Sequence, residues 1–476
     1  MLAGWLVAGW PGAVPPAAAY GTGKQVKAKR RRPTLEYQRF RRRREVDVQM
    51  EQKRKAIREQ LKKLLEYEQD AKERPALLFR LAENYFEEAT AYFYRAQRLD
   101  EKLAADPTNE SLRRRVEQQK RQLRKKEDVW RSKAIDMYRQ VVRKYTNYPG
   151  RDQVLFYLGY SLWDMERYQE ALKTYRELIS SYPKSKYVPD AYLAFGEYYF
   201  DKAKLDRALM AYKKVTEYKE SEVYPYALYK QGWCYYNLHE WEKAMEMFKQ
   251  VIYLADMEEG TTGRRIEIRK EALKDFTLTY SHKGGASVAP RIFKSLAPRE
   301  AQSMLVSLAG MYFGDGQDKK AILLYSYLIK QAGCSAEVPF YQGRVVDCAS
   351  RVGNKRYTVK QVRRLVELFK DVQRCLKNPN RKQKERLKEA RELAEITLRK
   401  LSSTWYKEAK ETKQTQTFEY AQEMFGDYLE LFPNSPDAYD MRFAYAELLF
   451  HRLHRYERAA VEYTRVVQHD LRWLKK

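Results

Sequence analysis

The sequence predicts an all-α protein: an α-solenoid of stacked helical hairpins, with a long antiparallel coiled-coil hairpin near the N-terminus. Three observations predict it. First, three segments align without gaps, pairing Gly159 with Ala171 and Tyr175, Gly196 with Ala208 and Tyr212, and Gly232 with Ala244 and Phe248. In each, an alanine follows the glycine by twelve residues and an aromatic follows four later, and the glycines stand 37 and 36 residues apart. Second, Leu78, Ala82, Tyr85, Ala89, Tyr92, Ala96, Leu99 and Leu103 alternate spacings of four and three, the seam of a helix paired with another helix. Third, 20 glycines and 16 prolines in 476 residues are too few for an all-β chain of tight turns. The 39 tyrosines suit half-buried faces of stacked helices, where one edge of each ring stays wet.

Composition narrows the class further. At 44% hydrophobic and 33% charged, the chain is neither an acidic disordered segment nor a membrane bundle. Its formal charge of +28 draws it toward polyanions: nucleic acid, anionic lipid, envelope polymers or acidic proteins. Four cysteines, Cys234, Cys334, Cys348 and Cys375, are too few and too scattered for a disulfide framework or a zinc motif, so buried free thiols are expected. An oxidising compartment would allow one bridge among Cys334, Cys348 and Cys375.

Residues 1–19 read as an export signal, largely apolar from Leu2 to Val14 and ending in Ala17, Ala18 and Ala19 before Tyr20. Two features count against it: no Lys or Arg precedes the apolar stretch, and the following segment is strongly basic, which hinders translocation. Residues 20–44 form that basic segment, with eleven Lys and Arg from position 24 onward against one acid, Glu36. Nothing later in the chain approaches an 18-residue apolar run, so no other span is expected.

Residues 45–146 are expected to hold a charged helix and the elongated hairpin. Ile57, Leu61 and Leu64 make the apolar face of the charged helix. The hairpin runs from about residue 75 to 145, turning at Asp106-Pro107-Thr108-Asn109 and returning through Leu112, Val116, Leu123, Trp130, Ala134, Met137 and Val141. Each arm of about 30 residues would reach about 45 Å at 1.5 Å per residue. The alternative is a bent pair folded back on the array.

Residues 147–258 hold the three aligned repeats. A small residue on one helix and another on the next let two backbones approach, and large residues at offsets of three and four fill the seam. Pro183 ends its hairpin because proline cannot continue a helix. The segments resemble tetratricopeptide repeats, whose pattern is W-x2-L-G-x2-Y, then A-x3-F, then P. Further matches are Leu305, Leu308, Ala309, Tyr312, Ala321, Tyr325 and Leu328 within residues 301–336, and Ala421, Phe425, Tyr428 and Pro433 within residues 411–476. A last match, Ala446 and Ala459 with Tyr463 and Val466, carries one residue too many between its alanines. The endings Tyr182-Pro183 and Phe432 to Pro436 are similar to those of bacterial envelope proteins of the outer-membrane assembly and Tol-Pal coordination type. Residues 259–300 read as an irregular linker with one helix and a flexible Lys283 to Ala286 stretch, and residues 337–410 as helical but in no repeat register. The sequence stops at Lys476 in what reads as the start of another helix, so its last repeat is expected to be exposed or the chain to continue.

No catalytic or cofactor motif is present: no Walker A loop, dinucleotide-type glycine turn, G-x-S-x-G elbow or H-E-x-x-H. His451 and His454 share a helical spacing, yet nothing beside them completes a metal site. A non-enzymatic scaffold without cofactor is therefore expected. The resemblance implies that partners, a peptide or a helix, lie in a concave groove, and Tyr160, Tyr198 and Tyr236 are its candidate contacts. Packing of these rings in the core is the competing reading. The basic residues Lys29, Arg30, Arg31, Arg32, Arg41, Arg42, Arg43 and Arg44 are the candidate polyanion contacts, flanking Pro33, Tyr37 and Phe40. Three readings stay open for them: an anionic envelope surface, nucleic acid with stacking on the two rings, or a solvated leader with no specific partner. The absence of a recognised nucleic-acid fold weakens the second. The expectation is a periplasmic or envelope scaffold; a cytoplasmic polyanion-binding repeat protein is the alternative.

Overall fold

A computed structural model describes residues 44–68, 70, 72–106, 108–257 and 263–474. Among them are 19 helices and no strands. The chain divides into two compact units, residues 1–276 and 277–476, with the division falling inside one helix.

In the first unit, α1 (Arg44–Tyr67) lies along α2 (Arg74–Ala105), and α2 pairs with α3 (Glu110–Lys144) as a long helical hairpin. Asn109 caps α3, its side chain accepting from the Leu112 amide, as the turn chemistry requires. The distal part of the hairpin is closed by Ala96, Leu99 and Val116, all buried. The mode of docking of α1 departs from expectation. Leu61 is buried, but Ile57 and Leu64 are exposed. Arg54 and Arg58 face α2 instead, each 3.0 Å from Glu88. Arg58 also donates to Asn84 at 2.9 Å and stacks 4.1 Å from the Trp130 ring centroid. A hydrophobic-face reading misses this because charged side chains share the seam with Leu61 and Leu65.

The three aligned repeats form the hairpins α4 (Arg151–Asp164) with α5 (Tyr168–Ser181), α6 (Val188–Asp201) with α7 (Leu205–Val215), and α8 (Tyr224–Asn237) with α9 (Trp241–Met257). The reason for the glycines is visible in each. A Cβ on Gly159 would stand 2.6 Å from the Tyr175 ring, on Gly196 2.4 Å from Tyr212, and on Gly232 2.6 Å from Phe248. The second-helix aromatic therefore lies flat on the first-helix backbone, and Ala171, Ala208 and Ala244 beside it are fully buried. Pro189 and Pro225 stand in the first turns of α6 and α8, where a missing N–H is harmless.

The division between units falls within α10 (Gly263–Lys283). In the second unit come α11 (Ala289–Leu296), α12 (Ala301–Gly314), α13 (Asp318–Ala332), α14 (Glu337–Val352), α15 (Lys355–Cys375), α16 (Arg381–Thr412), α17 (Thr415–Leu431), α18 (Ala438–His451) and α19 (Tyr456–Leu474). Consecutive helices pack from α11 to α15 and again from α16 to α19, and α16 and α17 also lie against α14 and α15. Two expectations are corrected. The described residues of the region 259–300 hold two helices rather than one, α10 and α11, the second with Pro290 in its first turn, where proline is tolerated. The region 337–410 is regular: α14 and α15 form another hairpin, followed by the long α16. Its register is hidden because Gly343 faces Leu393 of α16, 3.0 Å from where a Cβ would sit, rather than an aromatic of its own second helix. The extra residue before Ala459 is taken up by a four-residue loop between α18 and α19, where α4/α5, α6/α7, α8/α9 and α12/α13 have three, and Ala446 and Ala459 are both fully buried.

Candidate partner-binding surface

The first helices α4, α6 and α8 carry the candidate tyrosines, and a set of buried polar pairs positions those helices. Arg131 on α3 lies 2.9 Å from Asp164 and 3.1 Å from Glu127, with its guanidinium 4.9 Å from the Phe86 ring. On α6, Glu197 accepts from the Tyr212 hydroxyl at 2.5 Å and lies 3.2 Å from Lys230 on α8. On α10, Asp275 accepts from Tyr229 at 2.6 Å and from the Trp233 indole at 3.1 Å. The Arg131–Asp164, Glu197–Lys230 and Asp275–Tyr229 contacts each tie a first helix to a neighbouring helix, and Glu197 and Lys230 are only 1% and 2% exposed. Burial pushes the Asp275 carboxyl up to about 6 against the pull of those two hydrogen bonds. Burial also carries Asp190, in the first turn of α6, up to about 7. Sequence reasoning passed over these charges, although Glu197 and Lys230 flank repeat glycines at helix positions where apolar residues are the rule.

The three tyrosines are placed differently from one another. Tyr160 is half-buried, edge-on to Phe86 at 5.5 Å between centroids. Tyr198 is half-buried, accepts from the Gln169 amide at 2.6 Å and lies near Tyr168 of the preceding hairpin. Tyr236 is buried, wedged edge-on between Trp233 and Trp241. Two of the rings thus keep an edge toward solvent, and the third is committed to packing. Lys29 to Arg32 and Arg41 to Arg43 lie outside the described residues, and Arg44 is described only as the first backbone position of α1.

The histidines do not share one helix face. His451 ends α18, 3.6 Å from Glu447, whereas His454 sits in the following loop at φ 53° beside Tyr456. Among the described residues no group of three or more His, Cys, Asp or Glu is arranged to hold a metal, and no helix is long and apolar enough to cross a membrane. Cys334 and Cys375 are joined as a disulfide with their Cα atoms 6.1 Å apart, correcting the expectation of four free thiols, whereas Cys234 and Cys348 are buried and unbridged. Burial pushes both free thiols up to about 12, the wrong direction for a nucleophile at neutral pH.

The tetratricopeptide repeat family model matches residues 153–185 and 226–255, which cover the α4/α5 hairpin and most of α8/α9. No curated protein matches the chain. Among solved structures, a tetratricopeptide repeat protein from Parabacteroides merdae is 18% identical, the match covering 55% of this chain and 92% of that one at a TM-score of 0.29. The C-terminal part of a TPR repeat-containing protein from Cytophaga hutchinsonii is 14% identical over 60% of this chain and 98% of that one, at 0.30. The Naa15/Naa10 complex bound to HypK-THB is matched at 12% identity over 83% of this chain and 63% of that one, at 0.33. The two matched segments are similar to tetratricopeptide repeats, and the same glycine–aromatic contact recurs between them in α6/α7.

Proposed function

We propose that the protein is a non-catalytic scaffold of a bacterial envelope, holding a partner protein against the first helices of residues 151–237. The observation that carries the proposal is the run of repeat hairpins whose first helices are locked by buried polar pairs while Tyr160 and Tyr198 keep an open edge. Such arrays bind extended segments or helices along stacked first helices, and rigid half-exposed tyrosines supply contact area at low entropic cost. The Cys334–Cys375 bridge supports an oxidising compartment, in line with the apolar segment ending at Ala19.

Affinity capture from envelope extract, comparing the wild type with Tyr160→Ala/Tyr198→Ala, tests the surface. The expected result is a partner retained by the wild type and lost by the variant at unchanged circular dichroism. A capture profile indifferent to the substitutions contradicts the assignment. The compartment is tested by fractionation with N-terminal sequencing and by thiol alkylation of the denatured protein. Cleavage near Ala19 and two alkylated cysteines of four are expected, whereas an uncleaved cytoplasmic product with four reactive thiols contradicts envelope residence.

A further inference from the structure

The second unit holds a groove that the scaffold reading does not use. It lies between α17 and α19 over α18 and encloses about 560 Å³. Its floor is apolar, made by the buried Leu429 and Leu449 with the Tyr445 ring. Gly426 keeps one side low, since a Cβ there would meet nothing nearer than the Tyr445 hydroxyl at 3.8 Å. The α19 wall is Arg458, Val461 and Arg465, with Val461 half-exposed although it faces the groove.

The charge in the groove is organised. Glu462, 9% exposed, accepts from Arg442 at 2.5 Å through one oxygen and from Arg465 at 2.7 Å through the other. Each guanidinium has five N–H donors, so these contacts orient the two arginines and leave donors over. Glu430, on the opposite wall, is paired with Lys370 from outside the groove. Arg458 is exposed on the rim. An apolar floor beneath three guanidiniums is complementary to a ligand with carboxylates on either side of an apolar residue. Arg458 and Arg465 lie seven residues apart on α19, about 10 Å along its axis at 1.5 Å per residue. Carboxylates two turns apart on a partner helix match that separation. Tyr445 is stacked on Phe425, centroids 6.0 Å apart and planes 19° apart, so one face of its ring is already covered.

From this complementarity we infer that the α17–α18–α19 groove docks an acidic amphipathic helix of a partner protein, its carboxylates on Arg442, Arg458 and Arg465 and its apolar side chain on Leu429 and Leu449. The site goes beyond the tyrosine surface of the first unit and is tested without it. The probe is a labelled fifteen-residue helical peptide with glutamates seven residues apart and leucine between them, titrated with the full chain by fluorescence anisotropy. Saturable binding is expected, weakened about tenfold or more by Arg458→Glu/Arg465→Glu and by glutamine in place of the peptide's glutamates. Both substituted arginines are exposed, so the fold should persist, and circular dichroism checks it. Lys213→Glu/Lys214→Glu, on the exposed face of α7, should leave the affinity unchanged. Equal binding of the glutamine peptide, or equal weakening by the α7 variant, overturns the inference by reducing the attraction to bulk charge. So does sedimentation in which the arginine variant turns a dimer into a monomer, since the occupant is then a second copy of this chain.

Discussion

Glu197 and Lys230 show how a single buried pair can hold two repeats together. The ammonium lies 3.2 Å from a carboxylate oxygen that also accepts from Tyr212, and both side chains are almost fully excluded from water. Removing one partner leaves the other charge buried, which costs more than the pair contributes. Lys230→Met should therefore lower stability by about 3–5 kcal/mol, and adding Glu197→Gln should restore most of it, as chemical unfolding followed by circular dichroism would measure. Asp190 gives a pH test of the same physics. Burial raises its carboxyl from the ordinary 3.8 to about 7, so the folded chain keeps a proton that the unfolded chain releases. The stability this group contributes is complete below about pH 4 and is lost as pH rises to 7. Asp190→Asn should leave Tm unchanged at pH 4 and raise it at pH 8, with an upper bound of about 4 kcal/mol. A gain at pH 4 as large as at pH 8 would contradict this assignment.

At the scale of the element, the recurring unit includes its loop as well as its two helices. In the hairpins α4/α5, α6/α7, α8/α9, α12/α13 and α18/α19 the loop carries one residue at positive φ: Glu166, Ala203, His239, Gly316 and His454. The next amide reaches back to the last turn, as from Arg167 to Leu162, Lys204 to Tyr199, Glu240 to Tyr235 and Gln317 to Tyr312, with N–O distances of 2.8–2.9 Å. Only one of the five is glycine, so the others carry left-handed strain of about 1–2 kcal/mol each. Ala203→Gly should raise stability by about 0.5–1 kcal/mol after the entropy gained by the unfolded chain is subtracted, as a thermal melt would register. No rise would mean the loop is relaxed as it stands. The same elements show what could be read in advance. The hairpins of residues 151–257 were legible because glycine, alanine and aromatic repeat at fixed offsets. The α14/α15 hairpin was not, because Gly343 meets the next element and leaves no such signature. The docking of α1 was missed because Arg54 and Arg58 make the contact while Ile57 and Leu64 point outward. The pairing of Cys334 with Cys375 lay beyond reach, since spacing alone does not choose among three cysteines.

For the whole molecule, the two units share one construction principle and differ in how openly they display it. The first unit repeats glycine under an aromatic; the second begins with Ala309 in the glycine's place and then varies the contact. The candidate surfaces divide likewise. Tyrosine positions were visible from the repeat, although their burial was not, and the arginine groove of α17–α19 needed the structure because its walls come from three helices. The central claim is that close packing of an aromatic ring on the backbone at Gly159, Gly196 and Gly232 makes the hairpins that carry the candidate tyrosines. Gly310, inside α12, is the control, because a Cβ there meets nothing within 4 Å. Hydrogen exchange resolved to each hairpin in Gly159→Ala, Gly196→Ala, Gly232→Ala and Gly310→Ala is the most direct measurement. The first three should lose about 1–2 kcal/mol of local opening free energy, overpacking outweighing the better helix propensity of alanine. Gly310→Ala should gain about 0.5–1 kcal/mol. If all four gain alike, the aromatic rings do not bear on those backbones and the account of the fold fails.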